Sequence, residues 1–301
     1  MIKTLIAMND DEGRRLDRIL RKALPDLALS AIHRLMRKGL IKVNNKKAAP
    51  ELLIKKGDEI SVNLKEYSEG KSRLEASDRL LTLGETKERA KFKLPDILYD
   101  QKGIIAFNKA KGLVVHGKGE NLNDIVLTYL KDKIPSSLSF KPGPLHRLDK
   151  ESSGVIVFSK DLIGAQEFSR LLQERKIKKN YLAITEGELK KSMLWENEII
   201  KVDKSEKNKT AISRVKPLAT QNGHSLLYIE IETGRTHQIR AQAAFYGYPL
   251  LGDKMYGRNN KDGFFLHAWK MEIPQVAIIE APIPVLFKDK LKELFGEQYD
   301  L

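Results

Sequence analysis

Apolar positions along this chain change period several times, and each change marks an element. Leu16, Ile19, Leu20 and Leu24 recur at helical spacing, and Pro25 and Asp26 end the pattern. A second helix is expected with Ser30 as its cap, Ile32, Leu35 and Met36 as its inward stripe and Gly39 as its terminator. The run L-I-K-V-N-N-K-K-A reads as a short strand entering an Asn-Asn turn. Gly57-Asp58 is another turn, before the strand E-I-S-V. Residues 68–93 are charged and poor in bulky aromatics, which predicts a linker, part of it a short helix through Leu74 to Leu83.

The pattern restarts near Leu94. I-L-Y-D and I-I-A-F-N-K are expected to form a hairpin around Gln101-Lys102-Gly103, followed by a Gly-rich stretch without phosphate-loop spacing. Leu122 to Leu130 and Asp161 to Gln173 have helical spacing, the second with Leu162, Phe168, Leu171 and Leu172 inward. Strands are expected at Val155 to Phe158, Tyr181 to Ile184, Leu226 to Ile231 and in F-F-L-H-A-W-K-M-E-I. A lysine-rich hairpin should run from Trp195 to Arg214. A helix begins near Thr236, and Lys288 to Phe295 reads as a short surface helix. Strands and helices do not alternate in a βαβ rhythm, so residues 94–301 read as α+β with a largely antiparallel sheet. Residues 1–67 read as a small α/β domain, and no internal repeat is visible.

Charge sharpens this division. The 301 residues carry a formal net charge of +14, which points to a polyanionic partner, either nucleic acid or an anionic membrane surface. Between Glu12 and Lys47 eleven basic residues face three acids. Arg34, Arg37 and Lys38 lie on the side of the second helix away from its apolar stripe, as an interface to a nucleic-acid backbone requires. Cysteine is absent, which excludes disulfides, thiolate metal sites and cysteine nucleophiles and makes a reducing cytoplasm the natural compartment. The N-terminal apolar run is too short for a signal peptide, and no segment has the apolar length of a membrane span.

Three segments carry more chemistry than a core needs. In P-L-H-R-L-D-K-E-S-S-G-V-I-V-F, Asp149 stands on a predicted tight loop just before a buried strand, flanked by Arg147 and Lys150. Gly234-Arg235-Thr236-His237-Gln238-Ile239-Arg240 brings two arginines, a histidine and an amide to the mouth of a predicted helix. Tyr181 opens a strand just after the basic cluster Arg175, Lys176, Lys178 and Lys179. A carboxylate paired with a guanidinium stays ionised, and so remains nucleophilic toward an anomeric carbon or an electron-poor ring. A tyrosine beside it can stack on a base and hydrogen-bond or move a proton. Each residue also has an ordinary structural use: a turn former for Asp149, a surface ion pair for Arg240, a core aromatic for Tyr181.

The N-terminal pattern R-L-D-R-I-L-R-K-A-L-P…L-S-A-I-H-R-L-M-R-K-G-L-I-K-V-N-N-K resembles the small RNA-binding module of a small-subunit ribosomal protein and of tyrosyl-tRNA synthetases. Downstream, H-R-L-D-K-E-S-S-G resembles the signature around the catalytic aspartate of the RluA family of pseudouridine synthases. The resemblance continues in order through N-K-A-K-G-L-V-V-H, K-K-N-Y-L-A-I, G-R-T-H-Q-I-R, P-L-L-G-D-K-M-Y-G and F-L-H-A-W. It implies isomerisation of uridine to pseudouridine without metal or other cofactor. Asp149 would be the nucleophile, Tyr181 the tyrosine on the target base, and Arg240 the partner of Asp149. Arg147 would hold the flipped nucleotide out, and Arg34, Arg37, Lys38, Arg235 and His237 complete the expected RNA-binding set. The layout is similar to the branches that modify large-subunit (23S) ribosomal RNA, so that RNA or its precursor is the expected partner, with a cytoplasmic monomer as the expected state. Three positions depart from the family pattern: Ala110 for proline, Ser152 for threonine and Gln242 for histidine. Two rival readings stay open: an RNA-binding factor without catalysis, and a carboxylate-dependent nucleosidase or glycosidase.

Overall fold

The computed structural model describes residues 2–64, 93–199, 209–257 and 263–297. The chain divides into two units. Among the described residues, the first contains strands β1 (Ile2–Ile6), β2 (Ile41–Val43), β3 (Lys46–Lys47) and β4 (Glu59–Asn63) and helices α1 (Leu16–Ala23) and α2 (Leu29–Arg37). The strands form an antiparallel sheet in the order β1-β4-β2-β3. Asn44 and Asn45 both take positive φ, which makes the tight β2–β3 turn that the Asn-Asn pair predicts. Leu16, Ile19, Leu20, Ile32, Leu35 and Met36 meet Ile41, Ile60 and Val62 in one core, so the helical spacing of the sequence is the packing face.

One expectation for this unit changes, and one strand adds to the reading. Ser30 does not cap α2: the helix begins at Leu29, its N-cap is Ala28, and no side chain caps it. Residues 2–6 form β1, paired with β4, although their short apolar run gave no strand signal. This unit also takes in Tyr129–Pro142 and Asp161–Ile163. Buried Asp11 holds the former by accepting from the backbone N–H of Leu138 and of Ser139 and from the hydroxyls of Ser137 and Ser139. Burial would raise its carboxyl, but these hydrogen bonds, with another from the backbone N–H of Met8, hold it below the usual range. The expected helix at Leu74 to Leu83 lies outside the described residues.

The second unit is built on a sheet that holds ten strands among the described residues. These are β5 (Ile97–Gln101), β6 (Ile104–Lys109), β7 (Gly143–Pro144), β8 (Ser153–Ser159), β9 (Lys178–Glu186), β10 (Met193–Ile199), β11 (Lys209–Gln221), β12 (His224–Ile231), β13 (Leu266–Ile273) and β14 (Ala277–Glu280). Eight run in the order β10-β11-β12-β9-β13-β8-β6-β5, with β14 on β13 and β7 on β8. Pairing is antiparallel except between β8 and β13. Helices are α3 (Leu122–Leu130), α4 (Leu162–Gln173), α5 (Gln238–Phe245) and α6 (Val285–Phe295). The α+β architecture with a mostly antiparallel sheet is therefore the one the sequence implies.

The last helix departs from expectation. It starts at Val285 and is anchored rather than superficial: Phe287, Leu291 and Phe295 are buried against Leu182, Ile184, Leu226 and Phe265. Leu182 and Ile184 give that cluster one face of β9. Side chains alternate along a strand, so Lys179 and Tyr181 face the other way. No helix among the described residues is long and apolar enough to cross a membrane.

Candidate active site

Asp149 sits in the loop between β7 and β8, and the backbone N–H of Ser152 donates to its carbonyl at 3.1 Å. The buried ammonium of Lys109 fixes the same loop from below, donating to the carbonyls of Lys150 (3.1 Å) and Ala110 (2.9 Å). Burial pulls the Lys109 pKa down to about 7, against the opposing carboxylates of Glu151 and Asp149. Just upstream, His146 Nε2 accepts the backbone N–H of Val157 at 3.0 Å. Burial, with the Lys179 charge nearby, lowers its pKa to about 3, so His146 is a neutral strut.

Arg240 comes from the first turn of α5. Its Nη1 donates to Asp149 Oδ2 at 3.2 Å, while Nε and Nη2 grip Asp253 at 2.7 and 2.9 Å. Asp253 is fully buried and also accepts the backbone N–H of Met255 and Tyr256. Burial works against both charges; their mutual hydrogen bonds outweigh it, so the carboxyl is held below its usual range and the guanidinium above. The rings of Phe264 and Tyr256 flank the guanidinium at 4.5 and 5.2 Å from their centroids.

His237, the N-cap of α5, has φ 53° and ψ 26°, a left-handed conformation uncommon outside glycine. Gln238 secures that turn: its Oε1 accepts from Thr233 and from the N–H of Arg235, and its Nε2 donates to Ile212 O and Ser213 Oγ. The turn aims His237 Nε2 to 3.8 Å from Asp149 Oδ1, with Tyr256 Oη 3.4 Å from its Nδ1. Tyr181 lies within β9 rather than at its start. Burial and the Asp149 charge both raise its pKa, so its hydroxyl stays protonated.

The structure thus brings Asp149, Arg240 and His237 together, with Tyr181 within electrostatic reach of Asp149. Arg147 is exposed, and Arg235 spends its Nε on Thr210 O rather than on Asp149. Arg34, Arg37 and Lys38 are exposed on and just after α2 in the first unit. Sequence reasoning assigned no role to Asp253, Tyr256, Gln238 or Lys109. The first two stand in L-G-D-K-M-Y-G, where a carboxylate among turn residues carries no sign of being buried. Gln242 is a latch away from the carboxylate: it accepts from Ser213 and donates to Trp195 O, Asn197 Oδ1 and Ala211 O. The amide oxygen takes the Ser213 hydroxyl and the two amide protons are shared among the three acceptors, so Gln242 is held in place where the family pattern has histidine.

Comparison with known proteins identifies the family of the chain. The RNA pseudouridylate synthase family matches residues 103–245, and the S4 domain matches residues 14–60. The chain is 30% identical to a ribosomal large subunit pseudouridine synthase C of Buchnera aphidicola, over 97% of both proteins. It is 29% identical to the Escherichia coli protein of that name, again over 97% of both. Among solved structures, human RNA pseudouridylate synthase domain containing 4 superposes with a TM-score of 0.57 at 23% identity, covering 66% of this chain and 93% of that one. That last likeness concerns the fold.

Proposed function

The chain belongs to the RNA pseudouridylate synthase family, and from that premise we propose that it isomerises uridines of large-subunit ribosomal RNA to pseudouridine, with Asp149 as nucleophile. The observation that carries the reading is the Asp149–Arg240–Asp253 arrangement. One guanidinium, fixed by a fully buried carboxylate, orients a second and partly exposed carboxylate.

In the proposed reaction the uracil N1–ribose bond breaks with Asp149 as covalent partner. The base turns within the site, carbon 5 bonds to ribose as the Asp149–ribose bond breaks and the carboxylate is released, the proton on carbon 5 leaves, and N1 gains a proton. Nothing is oxidised or reduced. Tyr181 enters this sequence as a protonated phenol, suited to stacking on the base and donating a hydrogen bond. Arg147, exposed two residues before the nucleophile, takes the gap that a flipped uridine leaves in this reading; its exposure supports that role. Residues 1–67, with Arg34, Arg37 and Lys38, take flanking RNA by its backbone; Arg235 and His237 contact RNA near the reacting nucleotide; residues 68–93 join this module to the catalytic domain, 94–301. The proposed state is a cytoplasmic monomer, since the proposed catalytic side chains all come from one unit of one chain.

The test is pseudouridine mapping by carbodiimide labelling and primer extension on unmodified large-subunit ribosomal RNA. Stops are expected with the wild-type protein and none with Asp149→Asn. Stops of equal strength with Asp149→Asn would remove the nucleophile. Release of free uracil would favour a nucleosidase.

A further inference from the structure

Lys179 is 8% exposed, and among the described residues its ammonium has no hydrogen-bond or ion-pair partner. Its neighbour Lys178 shows the ordinary alternative, with a side chain 60% exposed and an acid, Glu272, 3.8 Å away. Removing an ammonium from water without a counter-charge is costly, and a methionine of similar size would fill the same space without that cost. Burial lowers the Lys179 pKa, and no acidic side chain offsets the effect.

The surroundings say what the charge faces. Lys179 shares the face of β9 with Tyr181, two residues on and roughly 6.6 Å along the strand. Its charge is felt by His146, three residues before Asp149. On another side lies exposed Gly234, where an added Cβ would stand 3.5 Å from Lys179 Nζ. Gly234 does not have the positive φ that would demand glycine. Its missing side chain leaves open the approach to the ammonium, and that approach belongs to the loop that delivers His237 and Arg240. The ammonium therefore opens toward the loop that carries His237 and Arg240.

We propose that Lys179 is a phosphate-binding residue: it takes the backbone phosphate of the nucleotide whose base lies on Tyr181, or of that nucleotide's neighbour, through the opening at Gly234. The proposal rests on the reading of Tyr181 as the base platform. The separation of Lys179 from Tyr181 suits the span from a nucleobase to its own phosphate. The incoming phosphate supplies the counter-charge that the free protein lacks, so the interaction forms only when RNA is seated.

The test uses the full chain and an unmodified large-subunit ribosomal RNA transcript, with wild type, Lys179→Met and Lys179→Arg. Lys179→Met is expected to weaken RNA binding about tenfold and to reduce the slope of log affinity against log salt by about 0.7 to 0.9, the contribution of one phosphate. Lys179→Arg should restore most of that slope. Urea unfolding should show Lys179→Met at least as stable as wild type, because a merely structural lysine would do the opposite. A second measurement needs no variant: amine labelling of Lys179 in the wild-type protein, read by mass spectrometry, should fall when RNA is added. An unchanged salt slope in Lys179→Met, or labelling indifferent to RNA, overturns the proposal. Pseudouridine formation by wild type in the same reactions separates the two failures: its absence sinks the proposed activity, whereas activity with an unchanged slope sinks only the role of Lys179.

Discussion

Arg240 is bound more closely to Asp253 than to Asp149, at 2.7 and 2.9 Å against 3.2 Å. The difference assigns their jobs. Asp253 has no exposure and fixes the guanidinium, while the Asp149 side chain is 26% exposed, as the proposed nucleophile requires. Asp253→Ala should therefore be worse for the fold than Asp149→Ala. It strands Arg240 and leaves two backbone N–H groups without their acceptor, at about 3–5 kcal/mol of stability. Urea unfolding of the two variants checks the order, and equal midpoints would contradict it. Asp253→Asn, which keeps the volume, should lower the rate constant about a hundredfold by loosening Arg240.

Gly154 lies where the Asp149 loop enters β8, beside the parallel strand β13. Its φ is +109°, and a Cβ there would meet Ala268 O at 2.2 Å and Ala268 C at 2.7 Å. Strain and backbone collision act together, so Gly154→Ala should cost at least about 3 kcal/mol. Thermal unfolding would show it. A variant as stable as wild type would mean that β8 and β13 separate more easily than their pairing implies.

Stability should fall with acid in a window set by two histidines. His146 accepts a backbone N–H. His267 accepts from Ser153 at Nδ1 and donates to Ala281 O. Burial lowers their pKa values to about 3 and about 4, from 6.5. Below 6.5 the unfolded chain takes up protons that the native chain refuses, so stability drops as pH falls and levels only near those lowered values. The limit is about 1.4 kcal/mol per pH unit for each histidine between pH 6.5 and 4. Lys109 acts elsewhere: with its pKa lowered to about 7, it makes stability rise with pH from there toward 10.5. Urea unfolding at pH 6.5, 5.5 and 4.5 tests the window, and His267→Gln should flatten the decline.

Elements with strong periodicity were legible in the sequence. Leu122 to Leu130 forms the helix its spacing predicts, and the hairpin around Lys102-Gly103 closes as read. Signals with a single local meaning misled. Ser30 looked like a cap, yet helical geometry already starts at Leu29. Residues 2–6 became a strand because β4 offered an edge, which is a tertiary cause that no window of sequence contains. Phe287, Leu291 and Phe295 lie on one face of a helix, but only their partners Leu182 and Phe265, distant in sequence, make that face buried. The same limit applied to the site. Asp149 and Arg240 stood out by residue type, whereas Asp253 is buried by a fold that assembles around it.

The first unit offers the last prediction. Arg34 and Arg37 are exposed on α2, and Lys38 follows at its C-cap, opposite buried Ala31, Ile32, Leu35 and Met36. Replacing both arginines by alanine removes charge from a solvated face without opening the core, so the urea midpoint should move by no more than about 0.5 kcal/mol equivalent. If both meet phosphates, the slope of log affinity against log salt should fall by about 1.4 to 1.8. The drop should be equal for target and unrelated structured RNA, since phosphate contacts carry no sequence information. Pseudouridine formation at saturating RNA should survive, because the double variant leaves Asp149, Tyr181 and Arg240 untouched. An unchanged slope with a normal fold would place RNA contact on another surface of this module, and lost activity at saturation would mean that α2 seats the uridine rather than merely holding its strand.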